Sequence, residues 1–286
     1  MKKIFSRLDK YEIRIRKAVN SQMHGNFSSI FKGTGLEFAD LRTYQYGDDV
    51  RTIDWITTAK GHGAYVKIFK EEKEQTVFFL LDMSASQQVG EHGKAKIDRA
   101  KEICGVMALS AIKESSHVGL YCFSDQKELY LKPDNGMKHA YNFILKLFQV
   151  VPKSFKTDIT EAIRFTLNIL KRKSVIIMIS DFQDEGYQDN LKALAKKHDL
   201  VVLHLYDDRE VNLPQLGLIP IQDTENNTLK WINTSSRKFQ KGMKQSFSDS
   251  KNTLEKLCRQ YNASYLSISS TEDFIPRLVE LFRVRK

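Results

Sequence analysis

From about residue 76 onward, short apolar runs alternate with segments in which apolar residues recur every three or four positions. The runs at 76–82, 117–123, 174–180, 200–206 and 263–268 are nearly continuous in apolar character. Strands covered on both faces read this way, because neither side can be polar. Between them, Ile97, Ala100, Cys104, Met107, Ala108 and Ala111 keep helical spacing, as do Ile159, Ile163, Leu167 and Leu170. The pattern predicts an α/β fold: a mainly parallel sheet with crossover helices on both faces.

Three departures refine this picture. The run 127–132 follows the strand ending near Phe123 too closely for a parallel crossover, so it is expected as an antiparallel edge strand. Residues 207–235 carry Pro214, Gly217 and Pro220, which predict turns and a small hairpin ending near Trp231. A long helix follows, with Met243, Leu254, Leu257, Cys258 and Tyr261 on its inner side, and a last helix uses Phe274, Leu278 and Leu281. The first 75 residues mix aromatic and charged positions without a clean period, and Gly33, Gly35 and Gly47 interrupt them. They are expected to form an arm (1–75) packed on the α/β body (76–286), with a strand at 66–74 leading into it.

Composition narrows the setting. The longest apolar runs, such as 77–81 and 175–179, are far shorter than the roughly 20 residues that span a bilayer. The basic amino terminus has neither the apolar stretch nor the cleavage site of a secretory signal, so a cytoplasmic location is expected. Cys104, Cys122 and Cys258 show no metal or redox spacing and read as reduced, buried thiols. His24, His62 and His92 form no ligand or acid–base spacing either. A net charge of +10 favours anionic partners, among them nucleic acid or, by peripheral association, an anionic membrane surface. Lys238, Lys241, Lys244, Lys251 and Lys256 on the long helix fit a solvated face better than a nucleic-acid site.

The candidate chemistry sits at strand ends. Asp82, Ser84 and Ser86 follow the run 76–81, Thr157 precedes a helix, and Asp181 follows the run 174–180. In an open α/β sheet the carboxyl ends of strands form the ligand-binding edge. Hard oxygen donors of this kind suit Mg²⁺ or Mn²⁺. Hydroxyl ligands are neutral, so a divalent cation held by them stays short of negative charge and attracts a carboxylate from outside. The competing structural reading gives Thr157 and Asp158 a helix-capping role with Glu161, and makes Ser84, Ser86 and Asp181 turn and cap residues. Thr160 is the alternative threonine. A metal-assisted phosphoesterase is the rival enzyme reading, but the position two residues after Asp82, where an aspartyl-phosphate phosphatase carries a second aspartate, is Ser84.

The five residues Asp82, Ser84, Ser86, Thr157 and Asp181 resemble the metal-ion-dependent adhesion site of von Willebrand factor A domains. That resemblance implies Ser84, Ser86 and Thr157 as direct ligands, with Asp82 and Asp181 acting mainly through water. The stretch from Gly33 through Glu37, Asp40, Arg42, Tyr44, Gly47, Asp48, Asp49, Arg51 and Asp54 to Trp55, followed by Thr58-Ala59-Lys60, is similar to the signature of the bacterial domain-of-unknown-function 58 family. In that family such an arm precedes a von Willebrand factor A-like body. The resemblance implies a non-enzymatic interaction module: an adaptor for a MoxR-type AAA+ ATPase in chaperone-like remodelling or maturation of a protein client. The chain has no phosphate loop of its own, so the ATPase would supply the energy. Within the arm, Arg42 and Arg51 are expected to pair with the nearby aspartates, and Trp55 to anchor the loop by burial.

Overall fold

The computed structural model describes residues 35–61, 63–72, 75–90, 95–223 and 228–284. Gly33, His24, His62, His92 and the basic amino-terminal residues lie outside them. Along the chain the elements are β1 (Gly35–Thr43), α1 (Trp55–Thr58), β2 (Tyr65–Glu72), β3 (Thr76–Asp82), α2 (Lys96–Lys113), β4 (His117–Phe123), β5 (Lys127–Asp134), α3 (Gly136–Gln149) and α4 (Ile159–Ile169). They continue with β6 (Val175–Ser180), α5 (Gln188–Lys197), β7 (Asp199–Tyr206), α6 (Asp208–Val211), β8 (Leu218–Asp223), β9 (Thr228–Asn233), α7 (Arg237–Gln260), β10 (Ser264–Ser269) and α8 (Phe274–Val284).

The predicted α/β fold is present. Six strands form one sheet in the order β10-β7-β6-β3-β4-β5, parallel throughout except for β5, which runs antiparallel at the edge as its short connection requires. The period of two divides the interior into two layers. Val77, Phe79 and Leu81 point into one core with α2, α3 and α8, whereas Phe78 and Leu80 point into the other with α4, α5 and α7. The strands touch closely at Gly119, where a Cβ would lie 2.6 Å from the Phe78 ring and 2.9 Å from Pro133, so only glycine fits. Cys104, Cys122 and Cys258 are free and buried, as expected.

Strand order also locates the site. After β3 the chain moves outward to β4 and β5, then returns to the opposite side of β3 to lay down β6, β7 and β10. The order therefore reverses between β3 and β6. Diverging connections leave a crevice at such a point, beyond the carboxyl ends of the two strands. Those ends carry Asp82 and Ser180-Asp181.

The arm is more regular than its sequence suggests. β1 and β2 pair antiparallel as a separate two-stranded sheet, with a bulge between Phe38 and Asp40. Arg42 donates two hydrogen bonds of 2.7 Å to Asp48, the expected fork-to-carboxylate pair. The pair holds the Asp48 carboxyl below its ordinary pKa. Asp49 and Asp54 cap local turns by accepting the backbone N–H groups of Arg51 and of Ile56 and Thr57. The expected burial of Trp55 is wrong: it is 65% exposed. Asp54 caps α1, a helix of four residues with no buried member, so the ring stands on a turn that has no core of its own.

Candidate functional site

Asp82 ends β3 fully buried, and its surroundings fix its orientation. Its Oδ1 accepts the backbone N–H of Ser84 at 2.9 Å, and its Oδ2 accepts the hydroxyl of Ser180 at 2.6 Å. The Ser180 hydroxyl in turn accepts the N–H of Phe182, which bends the chain sharply after β6. Burial, aided by the neighbouring Asp181 charge, raises the Asp82 pKa from 3.8 to about 7, against the opposing pull of these hydrogen bonds.

Past Asp82 the chain turns through a short 3₁₀ segment, Ala85–Gln88, which brings the Ser84 and Ser86 hydroxyl oxygens to 3.0 Å from each other. Adjacent oxygens on an octahedron with arms of about 2.1 Å are separated by about 3.0 Å, so the two hydroxyls have the spacing of neighbouring Mg²⁺ ligands. Thr157 belongs to a loop tied on one side to this turn, where Ala85 N–H donates to the Phe155 carbonyl, and on the other to the end of β4, where Asp158 N–H donates to the Ser124 carbonyl. Asp158 takes the capping role by accepting the Glu161 N–H at 2.8 Å, which leaves Thr157 outside the helix and Thr160 within it. The crevice thus gathers the β3 turn, the β6 end and the loop before α4.

Lys96, which no sequence pattern singles out, also belongs to this crevice. It stands in the first turn of α2 with its side chain fully buried, and its ammonium donates to Asp181 Oδ2 at 2.7 Å and to Glu210 Oε1 at 2.5 Å. Burial opposes its charge, but the two carboxylates outweigh burial and raise its pKa. Glu210 accepts the Asp207 N–H with its other oxygen, and Asp207 accepts the Ser270 hydroxyl. A chain of contacts therefore joins α2, the β6 end, α6 and the β10 end. Among the described residues, no group of three or more His, Cys, Asp or Glu side chains is placed to hold a metal. Any cation here depends on hydroxyl ligands.

The family described as "Protein of unknown function DUF58" matches residues 40–253, three quarters of the chain. The chain belongs to the DUF58 family. All five candidate residues fall inside the matched span. The DUF58 chain is 24% identical over 231 residues to uncharacterised protein Rv1480 of Mycobacterium tuberculosis, covering 80% of its own length and 73% of that protein. Uncharacterised protein Mb1516 of Mycobacterium bovis matches to the same extent. Among solved structures, it is similar to the conserved hypothetical protein BatB from Bacteroides thetaiotaomicron, at 16% identity and a TM-score of 0.48, covering 74% of this chain and all of that one. It is also similar to the SpRpn10 VWA domain, at 13% identity and a TM-score of 0.41, covering 72% of this chain and 94% of that one. No helix among the described residues is long and apolar enough to cross a membrane.

Proposed function

We propose that this DUF58 chain is a metal-dependent interaction module, which holds Mg²⁺ or Mn²⁺ at the β3–β6 crevice and offers it to a carboxylate of a partner protein. The observation that carries this reading is the 3.0 Å approach of the Ser84 and Ser86 hydroxyls beside the buried Asp82 carboxylate. Ser84, Ser86 and Thr157 would hold the cation directly, and Asp82 and Asp181 would orient its water. Bound there, the cation would supply a positive centre that a partner carboxylate could approach. Because Lys96 already pairs with Asp181, the set offers little charge to neutralise a divalent ion, which favours a carboxylate from outside.

The partner we assign is a MoxR-type AAA+ ATPase acting on a protein client, with this chain as the adaptor and without turnover of its own. The assignment is what the family resemblance implies, and three free, buried thiols suit a reducing cytoplasm. The double variant Ser84→Ala with Ser86→Ala tests the reading. It removes two oxygens from a turn whose backbone contacts stay intact, so stability should change by less than about 2 kcal/mol. Capture of the ATPase should fall to the level seen in chelator. Undiminished capture would place the contact elsewhere.

A further inference from the structure

A cleft of about 730 Å³ opens beside the crevice, between the ends of β6 and β7 and the stretch of α7 from Met243 to Leu257. Its size lies within the range of ligand-binding pockets. Helix α7 covers the sheet with Leu254 and Cys258, which are buried, but further toward its start Met243 and Phe247 are only partly covered. Met243 and Phe247 contribute to one wall of the cleft, and Phe247 reaches the β7 rings of His204 and Tyr206. The expectation that Met243 sits on the buried side of the long helix therefore holds only in part.

The lining has two characters. Aromatic faces supply the walls: Tyr206 and Phe247 lie with ring centroids 5.1 Å apart, and Phe182 meets His204 edge-on at 6.0 Å. Carboxylates supply the charge, namely Asp181, Asp184, Glu185, Glu210 and Asp249, and Lys251 of α7 is the basic side chain that reaches a wall, at the Tyr206 ring. This runs against the composition, since the chain carries 45 basic residues and 35 acidic ones. Lys96 offsets part of the charge at Asp181 and Glu210 from behind. His204 adds no counter-charge, because burial lowers its pKa to about 4. One wall already attracts a cation: the Lys251 ammonium stands 6.0 Å from the centre of the Tyr206 ring.

We infer that this cleft receives an arginine side chain from a partner protein. A guanidinium is planar, stacks on aromatic faces and donates in a fork that matches carboxylates, so it satisfies both characters of the lining at once. An acidic partner residue is repelled here and would be drawn to a cation at Ser84 and Ser86. The inference goes beyond the proposed metal contact and does not depend on it, because the cleft needs no cation.

The test uses the full chain, labelled for amide NMR and held in chelator, and titrates it with N-acetylarginine amide. N-acetylnorleucine amide serves as the uncharged control. The expected result is saturable movement of the Tyr206, Phe247 and Phe182 amides, with binding about tenfold tighter than the control, as a charge-assisted contact implies. The exposed-side double variant Glu185→Gln with Asp249→Asn should weaken the arginine compound about fivefold or more while leaving the spectrum folded. Non-saturating shifts, equal response to the control, or unchanged affinity in the variant would overturn the inference. Because the titration contains no metal, its failure leaves the cation reading intact, and failure of the cation reading leaves this one intact.

Discussion

Replacing Lys96 with methionine is expected to destabilise the protein by about 3–5 kcal/mol, the cost typical of removing one partner from a buried ion pair. The ammonium is fully buried and serves two carboxylates, so its loss leaves Asp181 and Glu210 facing each other across an apolar gap. For a chain of this size the corresponding fall in melting temperature is roughly 10 °C. Adding Glu210→Gln to Lys96→Met should recover part of the loss, since one of the stranded charges is then gone. Urea denaturation of the three proteins measures both effects. A cost below about 1 kcal/mol would mean that water reaches the ammonium and that the triad does not hold α2, β6 and α6 together.

Stability in chelator should also carry a signature of Asp82. Its folded pKa of about 7 stands above the ordinary 3.8, so the folded state holds the proton more tightly than the unfolded chain does. The contribution of this group is therefore full below about pH 4, declines as pH rises, and is lost once pH passes 7. The decline is at most about 1.4 kcal/mol per pH unit. Asp82→Asn retains an acceptor for the Ser84 N–H and cannot ionise, so the difference in stability between wild type and variant should shrink or change sign in favour of the variant across this window. Saturating Mg²⁺ should oppose the decline in the wild type alone, because a cation and a proton compete for the same carboxylate. Parallel pH profiles for the two proteins would show that Asp82 is ionised throughout and that its burial is relieved by groups other than those described.

The sheet was legible because its strands are buried on both faces: β3, β4, β6 and β7 each fall within a residue or two of a nearly continuous apolar run, and β10 follows one interrupted by serines. Helix α3 escaped notice although Ala140, Phe143 and Leu147 face the core, because Met137, Tyr141 and Leu145 are exposed on its outer side and blur the polar stripe. β1 was missed for a different reason. It is defined by its ladder with β2, and pairing leaves no periodic trace in a segment that mixes charges with aromatic residues. In the site, Asp82, Ser84, Ser86 and Asp181 could be named from their positions after apolar runs. Lys96 could not, since a lysine next to the first apolar residue of an amphipathic helix reads as solvated, and only the tertiary approach of Asp181 and Glu210 draws it inward. Trp55 shows the reverse error, a large aromatic assigned to a core that the local fold does not provide.

The most direct measurement is calorimetric titration of the full chain with Mg²⁺ and Mn²⁺ above pH 7, where Asp82 is ionised, alongside Asp82→Ala and repeated with the MoxR-type ATPase present. Saturable binding is expected in the wild type, with its loss in the variant and tighter binding when the proposed partner is added. Absence of saturable heat under every condition, or equal binding by Asp82→Ala, would contradict a cation site at the β3–β6 crevice.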